Sequence, residues 1–132
     1  MKLSVGQLTE FILLGFLAIV FLQSALDKLL HWKSNLIWLK GHFSKTFLKN
    51  TVPGLLAVIL IVELGAGLLS LGGLAEVVFG GPGLMAISGA VTAATALLML
   101  LFGQRVAKDY DGARTLVIYF IPTVFLIFLL EF

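Results

Sequence analysis

The stretch Thr51–Ala75, TVPGLLAVILIVELGAGLLSLGGLA, decides the fold because its only charged residue is Glu63, near its centre. At a rise of about 1.5 Å per residue, a helix of this length crosses a hydrocarbon core of about 30 Å. Its apolar residues run continuously instead of alternating, which favours a helix over a strand of a membrane β-barrel. The stretch therefore predicts a membrane-spanning helix with a lone acid near mid-depth.

Composition extends this prediction to the whole chain. Of the 132 residues, 60% are hydrophobic and 12% are charged, and the mean hydropathy is +1.10, whereas a soluble domain has about 25% charged residues. Three more long uncharged runs are present: Phe11–Leu26, Val77–Gln104 and Thr115–Leu130. We therefore predict one all-α domain, an integral membrane four-helix bundle with spans at approximately 8–30, 52–73, 83–104 and 114–131. The glycines at 72–73 and 80–83 are expected to bracket a turn after the second span.

The basic residues predict the orientation of the bundle, because positively charged short loops stay in the cytoplasm. Eight of them follow the first and third spans: Lys28, Lys33, Lys40, Lys45, Lys49, Arg105, Lys108 and Arg114. On the other side of the membrane the chain offers only Lys2. We therefore expect both termini to lie outside the cytoplasm.

The segment 31–50, between the first two spans, is predicted to be an amphipathic interfacial helix. Its apolar residues Trp32, Leu36, Leu39, Phe43 and Phe47 recur at intervals of three or four, and lysines occupy other positions. Tryptophan and lysine are typical of helices at headgroup depth. The expected contacts with membrane lipids are made by Trp32, Lys33, Lys40, Lys45 and Lys49. An ordinary cytoplasmic loop packed under the bundle is the alternative.

Several kinds of site are disfavoured by composition. The chain has no cysteine, which excludes disulfides and thiolate metal sites. Its small net charge of +2 is spread along the sequence, so we expect no nucleic-acid partner. His31 and His42 would be about 16 Å apart along a helix and have no third ligand at helical spacing, so we expect neither metal nor haem. No catalytic constellation is recognisable, and we predict no catalytic residues and no cofactor.

Glu63 needs a partner or a proton, because an ionised carboxylate at mid-membrane costs a few kcal/mol. Counting residues inward from each span end predicts an intramembrane polar site of Glu63, Thr92, Thr95, Tyr119 and Thr123. Lys28, about 15 Å away by helical rise, is expected to extend to the membrane surface instead. Two roles for the acid stay open: a proton-handling or ligand-orienting group facing a cavity, or an interhelical hydrogen bond that fixes the register of the bundle.

Two further groups of residues each have two interpretations. Polar residues at the cytoplasmic ends of spans one and three predict an ion-pair network across the helix ends, or else only a solvated rim: Ser24, Asp27, Lys28, Arg105, Asp109 and Tyr110. Small residues at four-residue spacing in the third span, Ala86, Ala90 and Ala94, favour close helix packing, either within the bundle or against a partner helix.

Three segments together resemble the DoxX family of small bacterial four-span membrane proteins: SALDKL at Ser24–Leu29, VELGAGLLSLGG at Val62–Gly73 and GQRVAKDYDGA at Gly103–Ala113. The resemblance implies a bundle in the bacterial cytoplasmic membrane. It also implies an association with membrane redox assemblies, since the family takes its name from subunits associated with a thiosulfate:quinone oxidoreductase. The chain departs from the family pattern at Ala25, where glycine is frequent, and in having no arginine at the start of span one.

These observations lead to one functional hypothesis and two rivals. The first is an accessory or structural subunit of a bacterial membrane redox assembly, bound to lipids and to other membrane subunits, because too few reactive groups are present for self-sufficient catalysis. The second is a membrane protein that binds or carries a quinone-like small molecule, with Glu63 as its intramembrane acid. The third is a quinone-reactive oxidoreductase subunit. A polar cavity beside Glu63 would favour the second.

Overall fold

The computed structural model describes residues 3–131, which form five α-helices. They are α1 (Val5–Leu30), α2 (Trp32–His42), α3 (Val52–Phe79), α4 (Leu84–Val106) and α5 (Tyr110–Glu131). All but α2 are long and apolar enough to cross a membrane. The predicted all-α bundle of four spans is therefore confirmed. Lys2, which was counted in the prediction of the orientation, lies outside the described residues.

The four long helices run antiparallel, in the order α1, α3, α4, α5 around the bundle, with the most extensive packing of α3 against α1 and α4. We call the end where α1 and α4 finish, and α3 and α5 start, the basic end. Large apolar side chains such as Leu14, Phe21 and Leu126 fill the core. Others, such as Ile19 and Ile61, face outward. Because the helices are apolar on their outer faces as well, a lipid environment fits this surface.

Local chemistry defines the ends of the helices. Ser4 and Gln7 form a reciprocal capping box at the start of α1, with side-chain to backbone distances of 3.0 and 3.1 Å. α3 ends at Gly80, whose φ of 77° is the left-handed conformation that glycine adopts without strain. Asp109 precedes α5 and accepts a hydrogen bond from the backbone N–H of Gly112 at 2.9 Å, the N-cap arrangement.

The predicted end of the second span near Gly73 is wrong, because α3 continues to Phe79. The turn that the two groups of glycines were expected to bracket is confined to residues 80–83. Gly73 serves helix packing instead: a Cβ atom there would lie only 2.6 Å from the Cα of Ala86 on α4. Gly89 on α4 approaches α3 similarly, since a Cβ atom there would lie 2.8 Å from the backbone nitrogen of Ser70. Ala86 and Ala90 are buried, which favours packing within the bundle.

The amphipathic pattern predicted for segment 31–50 is present over α2, which is shorter than that segment. The apolar residues of α2 at helical spacing, Trp32, Leu36 and Leu39, are half-buried, and Phe43, directly after the helix, is buried. Phe47 is 73% exposed because the helix ends at His42 and residues 43–50 form turns. Four lysines of the segment point to the surface as predicted: Lys33, Lys40, Lys45 and Lys49.

Candidate functional site

Glu63 pairs with Lys28, contrary to the expectation that Lys28 extends to the membrane surface. Lys28 Nζ lies 2.7 Å from Glu63 Oε1, and it also donates to Ser24 Oγ at 2.8 Å. The side chains of Glu63 and Lys28 are only 2% and 15% exposed. The contact is an ion pair, and within residues 3–131 no hydrogen bond to Glu63 Oε1 accompanies it. The acid is therefore held by a single ammonium group across the α1–α3 interface.

The register between α1 and α3 explains why counting from the span ends was wrong. Leu22 packs beside Gly67, where an added Cβ atom would lie 2.6 Å from Leu22 Cδ2. From this contact Lys28 is about 9 Å along α1 and Glu63 about 6 Å along α3, so the two residues differ in height by only about 3 Å. Residue counting assumed that both helices finish level, whereas α3 extends about 10 Å beyond α1 at the basic end.

Side-chain direction brings the two charges closer still. The Cα–Cβ bonds of a helix tilt toward its N-terminus. Lys28 is near the C-terminal end of α1, so its side chain is directed back into the bundle, as its hydrogen bond to Ser24 shows. Glu63 is on an antiparallel helix and tilts the opposite way, toward the basic end. The ammonium and the carboxylate therefore converge.

The other members of the predicted intramembrane polar site do not hydrogen-bond to Glu63 in the described part of the chain. Three hydroxyl groups donate to backbone carbonyls of their own helices: Thr92 to Ser88, Thr95 to Val91 and Thr123 to Tyr119, at 2.7–2.9 Å. The ring of Tyr119 packs against Phe16, with centroids 6.0 Å apart. The polar locus in the bundle interior is therefore the Lys28–Glu63 pair with Ser24.

The predicted cytoplasmic-face network is divided into separate local contacts. Asp27 accepts from the side-chain amide of Asn35 at 3.2 Å and lies 3.4 Å from His31, so it contacts α2 and the α1–α2 junction instead of another span. The guanidinium of Arg105 lies over the ring of Tyr110, 4.7 Å from its centroid. Of this cluster, Lys28 forms an ion pair to another span, with Glu63 on α3. The contacts of Asp27 and Arg105 fit the rim interpretation better.

Arg105 and Asp109 would be one turn apart if α4 continued, but α4 ends at Val106. Lys108 then takes a left-handed conformation with φ of 60° and reverses the chain. Asp109 is used to cap α5 and lies 3.9 Å from His42 Nε2. A turn therefore stands where a helical pairing of Arg105 with Asp109 would need α4 to continue.

An apolar cavity of about 570 Å³ lies at the basic end, between α2 and the ends of the long helices. We call it the basic-end cavity. Polar atoms of side chains are contributed by Lys28, Asn35, Gln104 and the indole of Trp38. The remaining wall is almost entirely apolar and includes Leu56, Ile59, Leu98, Met99, Phe102 and Leu116. Glu63 is not part of this wall, so the ion pair meets the cavity through its lysine.

α2 forms one wall of the cavity and is fixed at both of its ends. Near its start, Asn35 donates to the backbone carbonyl of His31 at 2.9 Å as well as to Asp27. At its end, His42 Nε2 donates to the amide oxygen of Gln104 at 2.7 Å. The ring of His42 also stacks on Trp38, with centroids 4.5 Å apart. Both ends of α2 are therefore tied by side chains to the rest of the chain.

The histidines show no metal-site geometry in the part of the chain that the structure describes. Among residues 3–131, no three His, Asp or Glu side chains converge on a common point. His31 and His42 instead contact Asp27 and Gln104, at opposite ends of α2. Their geometry is that of side chains positioning α2.

Glu76 is a polar residue whose role the sequence analysis missed. Its Oε2 accepts from the backbone N–H of Gly83 at 3.1 Å, and its Oε1 accepts from that of Ala86 at 2.9 Å. Gly83 is the N-cap of α4 and has no side chain to satisfy these donors. A carboxylate at a helix N-terminus is also favoured by the helix dipole. The available sequence signal was an acid directly before a glycine-rich turn.

Replacing Glu76 with alanine is expected to lower the free energy of unfolding by about 1–2 kcal/mol, because α4 loses its N-terminal cap. The variant Glu76→Gln should lose less stability, because the amide oxygen can still accept one of the two hydrogen bonds. Thermal unfolding of the purified protein in detergent measures both effects. Glu131→Ala, at the exposed end of α5, is the control, and an equal loss there would contradict the capping role.

Comparisons of the chain with models of protein families, with curated proteins and with solved structures found no match. The resemblance to the DoxX family therefore stays a prediction from three short segments. Chemically, the site combines a desolvated, fixed ammonium group with an apolar volume. Such an arrangement can bind and orient an amphiphilic molecule.

Proposed function

We propose that this chain is a multi-pass membrane protein that binds a small amphiphilic molecule in the basic-end cavity, with the polar head at Lys28 and the chain among the apolar side chains. The observation that carries this proposal is a mostly apolar cavity of about 570 Å³ whose wall contains Lys28. Small-molecule sites are typically mostly apolar, with a few placed polar groups and volumes of about 300–1,000 Å³.

A purely structural ion pair does not account for this cavity. An interhelical bond that fixes register needs no open volume beside it. Glu63 is sealed inside the α1–α3 interface, where it orients Lys28. Glu63 therefore affects binding only indirectly. Lys28 contacts the ligand instead, a role that the sequence analysis assigned to Glu63.

The charge distribution supports an orientation for this site. The positive-inside rule puts the basic end at the cytoplasmic face and both termini outside, and the resemblance to DoxX favours the bacterial cytoplasmic membrane. The cavity then lies at the depth of the inner leaflet, with α2 at headgroup level. An amphiphile dissolved in that leaflet could reach Lys28 without leaving the bilayer.

Filling the cavity tests the proposal. In a Trp32→Phe background, Trp38 is the one remaining tryptophan, and it lines the cavity. A bromine-labelled long-chain methyl ketone is titrated into nanodiscs that contain this variant. It is expected to quench the fluorescence of Trp38 saturably. Ile59→Phe with Met99→Phe should weaken this binding by about tenfold or more, equivalent to about 1.4 kcal/mol.

The matched control is Leu71→Phe, an exposed position on α3 outside the cavity wall. It should leave the saturable quenching unchanged. Quenching that rises linearly with probe in every variant would reflect probe dissolved in lipid and would overturn the proposal.

A further inference from the structure

Lys28 has one hydrogen-bond donor to spare. An ammonium group carries three N–H donors. Ser24 Oγ and Glu63 Oε1 lie within hydrogen-bond distance of Nζ, at 2.8 and 2.7 Å. No third acceptor contacts Nζ among residues 3–131, and the side chain lines the basic-end cavity. At least one N–H is therefore available to a bound molecule.

The other polar side chains of the cavity wall, Asn35, Gln104 and the indole of Trp38, are uncharged, and two of them already hydrogen-bond within the protein. The amide of Asn35 donates to Asp27 and to the carbonyl of His31. The amide oxygen of Gln104 accepts from His42. Among the described residues, Lys28 is the one charged residue of the wall, so the charge around it decides which ligand heads the site accepts.

The charge at Lys28 is balanced before any ligand binds. Glu63 supplies one negative charge at 2.7 Å and is 2% exposed. An anionic head group could gain full attraction to Lys28 only by displacing this carboxylate. That would leave Glu63 buried without a cation, which is strongly unfavourable. Binding beside the intact pair would instead bring a second negative charge into an apolar region.

We infer that the site selects an uncharged head group with a hydrogen-bond-accepting oxygen, such as the carbonyl of a long-chain ketone, ester or quinone, and discriminates against anionic amphiphiles. This inference rests on the proposed function, because it specifies the ligand of the same cavity. Glu63 sets the selectivity by neutralising Lys28, and Lys28 supplies a hydrogen-bond donor.

A pair of probes with equal chain lengths separates the two classes of head group. The first is the bromine-labelled methyl ketone, and the second is a bromine-labelled alkyl sulfonate, which stays anionic at any working pH. Quenching of Trp38 in the Trp32→Phe protein gives both dissociation constants. The ketone is expected to bind about tenfold or more tightly than the sulfonate, the equivalent of about 1.4 kcal/mol or more.

In the variant Glu63→Gln the preference for the ketone over the sulfonate is expected to reverse, because the Lys28 ammonium is left without a counter-ion. The sulfonate should then bind more tightly than the ketone. Should this variant fail to fold, Lys28→Met with Glu63→Gln removes both charges and the donor together. The ketone is then expected to lose about tenfold in affinity, and unchanged ketone binding would overturn the inference.

The results distinguish this inference from the proposed function. Tighter binding of the sulfonate to the unmodified site overturns the inference while leaving amphiphile binding in place. If both probes bind equally tightly, with and without Glu63, the inference is likewise overturned and amphiphile binding still stands. If the unmodified cavity shows no saturable quenching, or if Ile59→Phe with Met99→Phe does not remove it, both the inference and the proposed function are overturned.

Discussion

Replacing Lys28 with methionine is expected to lower the free energy of unfolding by about 3–5 kcal/mol, because removal of one partner leaves an uncompensated buried charge. The methionine side chain matches the lysine stem in length, so packing against α3 is largely kept. What is lost is the ammonium that faces Glu63 at 2.7 Å. Denaturation of the purified protein in mixed micelles, followed by loss of helical circular dichroism, measures the change.

The double variant Lys28→Met with Glu63→Gln is the decisive comparison. It removes both charges, and a pair replaced as a unit costs far less than a pair broken on one side. We therefore expect the second substitution to restore much of the stability that the first removes. Lys33→Met, at an exposed position of α2, is the control and should change stability by less than about 0.5 kcal/mol. Additive losses at Lys28 and Glu63 would contradict a coupled pair.

The spans were predictable because each is a long run of apolar residues interrupted by few charges. Their helical state follows from the cost of leaving backbone groups unsatisfied in hydrocarbon. The apolar face of α2 was also predictable, from the spacing of its apolar residues. Span ends were less predictable: Gly72 and Gly73 are typical of turns, but a glycine that lets two helices approach and a glycine that ends a helix are identical in one sequence.

The candidate site was only half predictable. Glu63 was recognisable as a lone acid in an apolar run, whereas its partner depended on the relative heights of α1 and α3, which Leu22 and Gly67 determine by side-chain fit. The cavity depends on how far α2 lies from α3 and α4, and no single residue encodes that distance. The role as accessory subunit of a redox assembly was argued from resemblance and from scarcity of reactive groups, and it stays a prediction.

Introducing alanine at both Gly73 and Gly89 is expected to destabilise the protein by about 2–5 kcal/mol, because each added methyl group meets backbone atoms across the α3–α4 interface. The closest atoms would be 2.6 Å away at Gly73 and 2.8 Å at Gly89. Backbone atoms cannot rotate aside, so the two helices must separate. Denaturation in mixed micelles measures the loss, and each single variant should show part of it.

Gly65→Ala provides the matched control on the same helix, since no atom lies within 4 Å of a Cβ atom built there. Alanine is favoured over glycine in a helix interior by about 1 kcal/mol, so this substitution is expected to leave stability unchanged or to raise it. The same propensity gain acts at Gly73 and Gly89, and a loss there must therefore come from contact between the helices. If all three positions gained stability alike, close approach of α3 and α4 would be excluded as the reason for their glycines.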